Sequence, residues 1–354
     1  MSNLKKFYKK KDWWIRVNWS ELRSEIGRMQ ENIYQSSKIG DIKMVNNLMK
    51  SLVKSREAKL LAIYNITQKN RGRNTAGVDG LTYLTPKERM KLSKKSFNYK
   101  KYKFQPVIKR FIPKKTYKKD KRMRALGILT LKDRVMAKII SFALMAKWDP
   151  IFESNVIGYR PGRSRQEAIY TIGNILSKGN KVVLEADIKN FFENIEHRII
   201  LEKIGLFKSI IKKILKIKII ENEKRYRNKK GIVQGNPLSP VLANIALHGL
   251  QDLFETQIIN GKYVKANAKV GCVRYADDFI IIAPSYKLIE TWVIPRLEKF
   301  LNDRGLMLNK DKTKITTMTE GFQFLGYFFK QIDDRIMVKS IKKGYTHVPS
   351  ILIN

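Results

Sequence analysis

The chain has 354 residues and 43% hydrophobic content, enough for two or three packed subdomains, yet 72 Lys plus Arg stand against 31 Asp plus Glu, a net charge of +41. A field of that size opposes compaction unless a polyanion screens it, which points to nucleic acid as the partner; no apolar run reaches the ~18 residues that would argue for a membrane span. One cysteine, Cys272, and three scattered histidines (His197, His248, His347) exclude a disulfide framework and argue against a zinc site or a His-Asn-His nuclease.

Met1 to Lys11 is basic and aromatic without a following apolar segment, so it does not read as a secretory signal. Abundant Lys, Ile and Asn favour an organelle interior, chloroplast stroma or mitochondrial matrix, with bacterial cytoplasm as the alternative. From Trp13 to Gln68, apolar residues at helical spacing (Leu48, Leu52, Leu60, Leu61, Tyr64) predict a helical region. Gly72, Gly77 and Gly80 break it, and Thr75-Ala76-Gly77-Val78-Asp79-Gly80 reads as a turn-rich loop. A boundary is expected between residues 70 and 95. Tyr99 to Arg124 is strongly basic, with strand-like Gln105–Ile108 and Arg110–Ile112 and a turn at Lys118–Lys121. It reads as a hairpin that is either a solvated basic face or a contact to nucleic-acid phosphates, Lys114 and Lys115 being the candidates.

Leu131 to Trp148 predicts a buried helix stopped by Pro150. Gly158-Tyr159-Arg160-Pro161-Gly162-Arg163-Ser164 is a loop, and a helix is expected from about Gln166 to Leu176. Lys181 to Ala186 is a short apolar strand ending on Asp187, followed by Phe191, Phe192 and a helix-like segment through His197. Ser239-Pro240 is expected to open a helix, the serine as N-cap and the proline at the first helical position, with apolar residues continuing to Phe254. Lys269 to Ala283 reads as a hairpin with Tyr275-Ala276-Asp277-Asp278 at its bend. Trp292 to Leu301 is helical, and Gly305 to Ile315 a loop and strand.

Adjacent aspartates between Cys272-Val273 and Phe279-Ile280-Ile281-Ile282 are costly unless a cation compensates them. A lone Asp-Asp pair is most often a solvated turn. With a further carboxylate at the end of a neighbouring strand it becomes a site for two Mg²⁺ ions about 3.5–4 Å apart, the arrangement that drives nucleotidyl transfer. Asp187 ends such a strand.

These segments form an ordered series. Gly158-Tyr159-Arg160-Pro161-Gly162-Arg163-Ser164, Asp187-Ile188-Lys189-Asn190-Phe191-Phe192, Gln234-Gly235-Asn236-Pro237-Leu238-Ser239-Pro240 and Tyr275-Ala276-Asp277-Asp278 together resemble the motifs of group II intron reverse transcriptases. Thr75 to Gly80 looks like that family's N-terminal extension, and Leu308-Asn309-Lys310-Asp311-Lys312-Thr313-Lys314 with Phe324-Leu325-Gly326 like its downstream palm motifs. Each motif is weak alone; six or more in order are specific.

The resemblance implies an α+β right-hand polymerase: a helical N-terminal extension over residues 1–95, fingers and an antiparallel palm over 96–342, and a short tail over 343–354. It implies RNA-directed DNA synthesis serving intron mobility, with group II intron RNA, an RNA template, a DNA primer and dNTPs as partners, and two Mg²⁺ ions (or Mn²⁺) as cofactors. Asp187, Asp277 and Asp278, with the backbone of Ile188, would hold the metals. Phe192 would lie under the incoming sugar and exclude a 2′-hydroxyl. Gln234 and Tyr275 would line the nucleotide pocket, Arg124 would hold the triphosphate through its fork, and Arg134 would support that pocket, with Lys132 either joining it or, as its place before a buried helix favours, serving as a cap or a solvated residue. The family usually has proline where Ala125 stands. Lys312 would donate a proton to pyrophosphate, and Arg160 and Arg163 would clamp RNA phosphate. Asn194 and His197 read as a turn and helix start rather than as an acid–base pair.

The segment Gly344 to Asn354 does not continue as an amphipathic helix where the family's thumb begins. The expectation is a chain without a thumb, the gene being truncated or split, or a separate polypeptide supplying it. The competing function is a non-catalytic, maturase-like splicing factor or degenerate remnant that binds intron RNA through its basic surface. A retron-type enzyme shares the Tyr-Ala-Asp-Asp core but fits the Thr75 to Gly80 region less well. A diversity-generating type would carry a serine-glutamine pair near Gln234, where Pro237-Leu238-Ser239-Pro240 stands.

Overall fold

The computed structural model describes residues 13–113, 123–179, 181–259, 262–265, 269–333, 335–341 and 351–353. Lys114, Lys115, the turn at Lys118–Lys121, the Met1 to Lys11 segment and most of the 343–354 tail lie outside the described residues. In chain order the elements are α1 (Trp19–Lys38), α2 (Ile42–Lys54), α3 (Arg56–Tyr64), α4 (Pro86–Lys94), β1 (Val107–Pro113), β2 (Met123–Ile128), α5 (Leu131–Trp148), α6 (Arg165–Leu176) and β3 (Val182–Ala186). They continue with α7 (Phe191–Asn194), α8 (His197–Lys203), α9 (Lys208–Leu215), β4 (Lys218–Glu221), β5 (Lys224–Arg227), α10 (Ser239–Leu247), α11 (Asp252–Glu255), β6 (Thr256–Ile259) and β7 (Lys262–Lys265). Then follow β8 (Gly271–Tyr275), β9 (Asp278–Ala283), α12 (Tyr286–Leu288), α13 (Ile294–Asn302), β10 (Lys314–Thr317), β11 (Phe322–Phe324), β12 (Tyr327–Ile332), β13 (Arg335–Ser340) and β14 (Ile351–Ile353).

The chain folds into two compact units, one of residues 1–151 with 200–242, the other of 152–199 with 243–354. The stretch expected to be fingers and palm divides between them.

In the first unit the N-terminal helices start where short polar side chains cap them: Asn18 accepts from the Ser20 and Glu21 amides (3.2 Å each), Asp41 from Met44 (2.8 Å) and Ser55 from Ala58 (3.0 Å). Their apolar stripes, including Ile26, Ile33, Met49 and Leu52, are buried. They pack on α5, which is buried on nearly every face and so lacks a polar side. Gln30 and Ser37 of α1 donate to the Phe142 and Lys147 carbonyls, fixing α1 along it. Strands β2-β1-β4-β5 form a sheet in which β1 and β2 are the expected antiparallel hairpin and β1 runs parallel to β4.

Arg134 has a structural task here. It is 7% exposed, and its guanidinium donates to the carbonyls of Leu129 (3.0 Å), Gly72 (2.9 Å) and Thr75 (2.8 Å). It therefore pins the turn-rich loop to the start of α5, with Gly77 so close to Thr130 that a Cβ would come within 2.5 Å of its amide. Lys132 instead lies over the Tyr102 ring at 5.6 Å.

The second unit is built on the all-antiparallel sheet β10-β3-β9-β8. One face packs on Ala168, Ile172 and Leu176 of α6 and on Phe322, Phe329 and Val338 of a second sheet, β11-β12-β13-β14. The predicted strand before Asp187 and the predicted hairpin at Tyr275–Asp278 are both present.

Two expectations need correction. Ser239 does not cap α10: its hydroxyl donates to the Val233 carbonyl (2.7 Å), it is itself the first helical residue, and Asn236 Oδ1 takes the Leu238 amide (3.0 Å). The apolar run to Phe254 is not one helix, because α10 ends at Leu247 and Gly249 turns the chain with φ +96° before α11.

Arg134→Ala removes three charge-assisted bonds from a buried site and should lower unfolding free energy by about 3 kcal/mol, read by urea denaturation. A loss below about 0.5 kcal/mol would show that the loop is held by other contacts.

Candidate active site

The site is set by how three strands of one sheet end. In β8 and β9 the last pair is Tyr275↔Asp278, which leaves Ala276 and Asp277 as a two-residue turn. Ala276 has φ +63°, a left-handed value that such hairpin turns usually give to glycine. The β3–β9 register runs Val182↔Ala283 to Ala186↔Phe279, so one more step sets Asp187 opposite Asp278 on the same face. Directly opposed residues lie about 4.5–5.5 Å apart at Cβ, which brings the two carboxyl groups to the same end of the sheet.

Asp187 is also tied from the other side. Its carbonyl accepts the Asn309 amide (2.8 Å), Lys189 donates to the Met307 carbonyl (2.9 Å), and Ile188 bridges Leu308. Because those bonds use the edge of residues 187 and 189, strand alternation turns the Ile188 carbonyl to the opposite edge, the side on which β9 lies. The Asp187 carboxylate, 35% exposed, accepts from Asn309 Nδ2 (2.8 Å) and from Lys312 Nζ (3.3 Å). Among the described residues no group of three or more His, Cys, Asp or Glu side chains is gathered to hold a metal ion.

Behind the turn lies a buried polar network. Val156 bridges Arg274 in parallel, Ile157 donates to the Arg274 carbonyl (2.8 Å), and Arg274 donates to Asn155 (3.0 Å). Gly158 thereby lies against the turn, where a Cβ would come within 2.2 Å of the Ala276 amide nitrogen. Asn244 on α10 donates to the Gly158 carbonyl (2.9 Å) and accepts from Arg274 Nη1 (2.9 Å), which also reaches the Ala276 carbonyl (3.1 Å). Arg274 is 1% exposed, and burial pulls its guanidinium down to about 10. Glu153 supplies the compensating charge. Burial would raise its carboxyl, but the hydrogen bond and charge of His248 (Nδ1, 2.9 Å), aided by Arg274, hold it at about 2. Gly249 also donates to it (2.6 Å).

Of the residues expected at the site, this unit holds Asp187, Ile188, Tyr275, Asp277, Asp278 and Lys312, with Lys312 paired with Asp187 and Tyr275 paired with Asp278 across the hairpin. Tyr275 is half-buried against the sheet core. Phe192 is half-buried on the short α7, edge-on to Phe191 at 5.1 Å, just after Asn190 turns the chain with φ +48°. Arg160 is occupied structurally, donating to the Glu153 (3.1 Å) and Val156 (2.9 Å) carbonyls over the Phe152 ring, and Arg163 is paired with Glu167. Arg124, exposed on β2, and Gln234 belong to the first unit, where the Gln234 carbonyl takes the Gly127 amide (2.8 Å). Sequence reading missed Asn309, although it stands within a quoted motif, and missed Asn244, Arg274, Glu153 and His248, which no local pattern marks.

An antiparallel sheet packed on helices, with N-terminal helices before it, is the fold of a polymerase palm, and the sequence families agree. Residues 112–329 match the model of the reverse transcriptase (RNA-dependent DNA polymerase) family and residues 14–95 that of the N-terminal domain of reverse transcriptase, and the chain belongs to this family. It is 30% identical over 329 residues to the group II intron-encoded protein LtrA of Lactococcus lactis subsp. cremoris, a match covering 75% of this chain and 53% of that protein, so it spans about half that relative's length. Maturase-like protein 1 of Euglena gracilis is 23% identical, with 94% and 68% covered. The structure of telomerase from Candida albicans, in complex with a telomeric RNA fragment, shares the fold at TM-score 0.50 and 15% identity, covering 69% of this chain and 46% of that one. Among the described residues no helix is long and apolar enough to cross a membrane.

Because the Glu153 carboxyl is depressed from 4.5 to about 2, its contribution to stability is complete above pH 4.5 and is lost as pH falls toward 2. Glu153→Gln should flatten the wild-type fall in melting temperature across that window; an unchanged pH profile would remove Glu153 from the network. Gly158→Ala should displace the Ala276 turn and lower stability by about 1–3 kcal/mol, read by chemical denaturation.

Proposed function

We propose that the chain is an RNA-directed DNA polymerase of the group II intron type, joining dNTPs to a primer 3′-hydroxyl on an RNA template in the service of intron mobility. The observation that carries this reading is the sheet register that sets Asp187 across from Asp278, with Asp277 in the adjoining turn. In this reading residues 1–95 form the N-terminal extension and 96–342 the fingers and palm. Lys-, Ile- and Asn-rich composition supports an organelle interior as the compartment.

The donor set suits a hard divalent cation. Carboxylate and carbonyl oxygens are the ligands of Mg²⁺ and Mn²⁺. Asp187, Asp277, Asp278 and the Ile188 carbonyl would hold two Mg²⁺ ions, which when bound make the 3′-hydroxyl a nucleophile and neutralise charge on the leaving pyrophosphate. The chain's own groups do the rest. Asn309 fixes one oxygen of Asp187, and the Asn244–Arg274 pair holds the turn from behind. The 3′-hydroxyl releases its proton to solvent as its oxygen bonds to the α-phosphorus, the bond to the α–β bridging oxygen breaks, and Lys312, already 3.3 Å from Asp187, gives the departing pyrophosphate a proton. Phe192 closes the space that a 2′-hydroxyl would need, Tyr275 and Gln234 line the nucleotide pocket, and Arg124 pairs with the triphosphate through its fork.

Maturase-like protein 1 among the relatives, together with the charge excess, supports a second reading in which the chain folds intron RNA without synthesis. Primer extension on an RNA template with Mg²⁺ separates the two. Product is expected, abolished by chelator and reduced at least about 100-fold by Asp277→Ala while RNA binding persists. Absence of product, or product indifferent to Asp277→Ala, would leave the non-catalytic reading. Phe192→Ala should raise ribonucleotide incorporation relative to deoxynucleotide by about 10- to 100-fold, measured by competition between the two.

A further inference from the structure

Two clefts in the first unit, outside the palm, are lined by cations and by no carboxylate. The larger, about 620 Å³, carries Lys54, Arg56, Lys59, Lys94, Lys95 and Lys100. The smaller, about 550 Å³, carries Lys103, Lys212, Lys213, Lys216, Lys218 and Arg227. They flank one short segment, since Lys100 ends the lining of the first and Lys103 begins that of the second, a span of at most about 10 Å along the chain. Lys213 fastens the segment to α9 by donating to the Lys100 (3.2 Å) and Tyr102 (3.1 Å) carbonyls. Half-buried aromatics mark each side: Phe97 in the first cleft stacks on Tyr102 (6.4 Å, 13°), and Phe104 in the second meets the same ring edge-on (5.0 Å).

Stability does not explain this arrangement. Lys54, Lys94, Lys212 and Lys213 sit in the last turns of helices, where cations are favoured, and basic residues on an edge strand discourage aggregation. Arg56 opens α3 beside Glu57, and Lys59 stands one turn further on. Lys218 and Arg227, by contrast, are directly opposed across β4 and β5, a pairing of like charges that costs stability. Like charges set opposite one another, in clefts that also hold aromatic rings, fit a ligand that is anionic at regular intervals and carries stackable rings. Each cleft is large enough for one or two nucleotides.

We propose that the two clefts form one track that binds a single RNA strand through its phosphates, with bases stacked at Phe97 and Phe104. The track is a second nucleic-acid site, independent of the palm carboxylates. Its twelve cations also give part of the +41 charge a location.

The test uses the full chain and a labelled 20-nucleotide single-stranded RNA, followed by anisotropy across a salt series, with a tetranucleotide and a DNA duplex as comparators. Lys54→Glu with Lys94→Glu in one cleft, and Lys212→Glu with Lys216→Glu in the other, should each weaken binding of the 20-mer at least 10-fold and lower the log–log salt slope by about 1.4. The tetranucleotide, too short to use both clefts, should respond to only one of the pairs. Glutamine in place of glutamate at the same positions should give smaller shifts in the same direction, and circular dichroism confirms folding. Affinities within 2-fold of wild type for both pairs, or equal losses for RNA strand and DNA duplex, would overturn the proposal. Primer extension at saturating template reports separately on the palm: wild-type failure there sinks the polymerase reading and leaves the binding result standing.

Discussion

The register between β3 and β9 is the constraint on which the site depends. Side chains alternate with a period of two along a strand, so a slip of one residue would turn Asp187 away from Asp278 and exchange Val183 with Leu184, which is equally buried on the other face. Packing of Val183, Ile280 and Ile282 against α6 and the second sheet on one face, with Leu184 and Ile281 buried on the other, holds the register. The geometry at the sheet's end is stabilised by packing in its middle. This division is economical in a chain of such charge, because apolar packing keeps its strength whatever ions surround the surface.

A second constraint acts on the turn. Ala276 keeps its left-handed backbone because its surroundings determine it from two sides: Gly158 presses on its amide and Arg274 holds its carbonyl. Arg274 can serve only if its buried charge is met, and Glu153 meets it without protonation because His248 and Gly249 satisfy its oxygens. The acid at the turn is thus supported by a base behind it and an acid behind that base, an alternation in which neighbouring layers attract. Residue 153, the pair 244 and 248, and residue 274 come from three separate parts of the sequence and meet where the Val156 bridge adds an edge beside β8.

That separation explains what sequence could reveal. Helices announced themselves through caps and apolar stripes, the hairpin through two apolar runs around Tyr275–Asp278, and the palm through motifs in order. These are local signals. Arg134 read as support for a nucleotide pocket because charged residues before a helix look the same whether they face a ligand or three carbonyls. Ser239-Pro240 carried the signature of a helix start, yet the Val233 carbonyl claimed the serine hydroxyl. Glu153 and His248 looked like ordinary polar residues, since nothing within a few positions of either indicates burial or pairing. Asn309 lay inside a recognised motif, but only the bridge at Ile188 shows that its amide is turned to Asp187.

The contact between Lys312 and Asp187 links structure to the proposed chemistry. An ammonium at 3.3 Å from a carboxylate that is one-third exposed contributes little to stability, because water screens it. In the proposed reaction its value would lie in exchange. A divalent cation carries twice the charge and binds several oxygens at once, so its arrival at Asp187 would displace the lysine by competition for the same carboxylate. The displaced ammonium would stay within a side chain's length of Asp187, where charge leaves with pyrophosphate in the proposed reaction. One ion pair would then serve two states, neutralising Asp187 before the metals bind and supplying a proton once they have, with Asn309 keeping the carboxylate oriented through both.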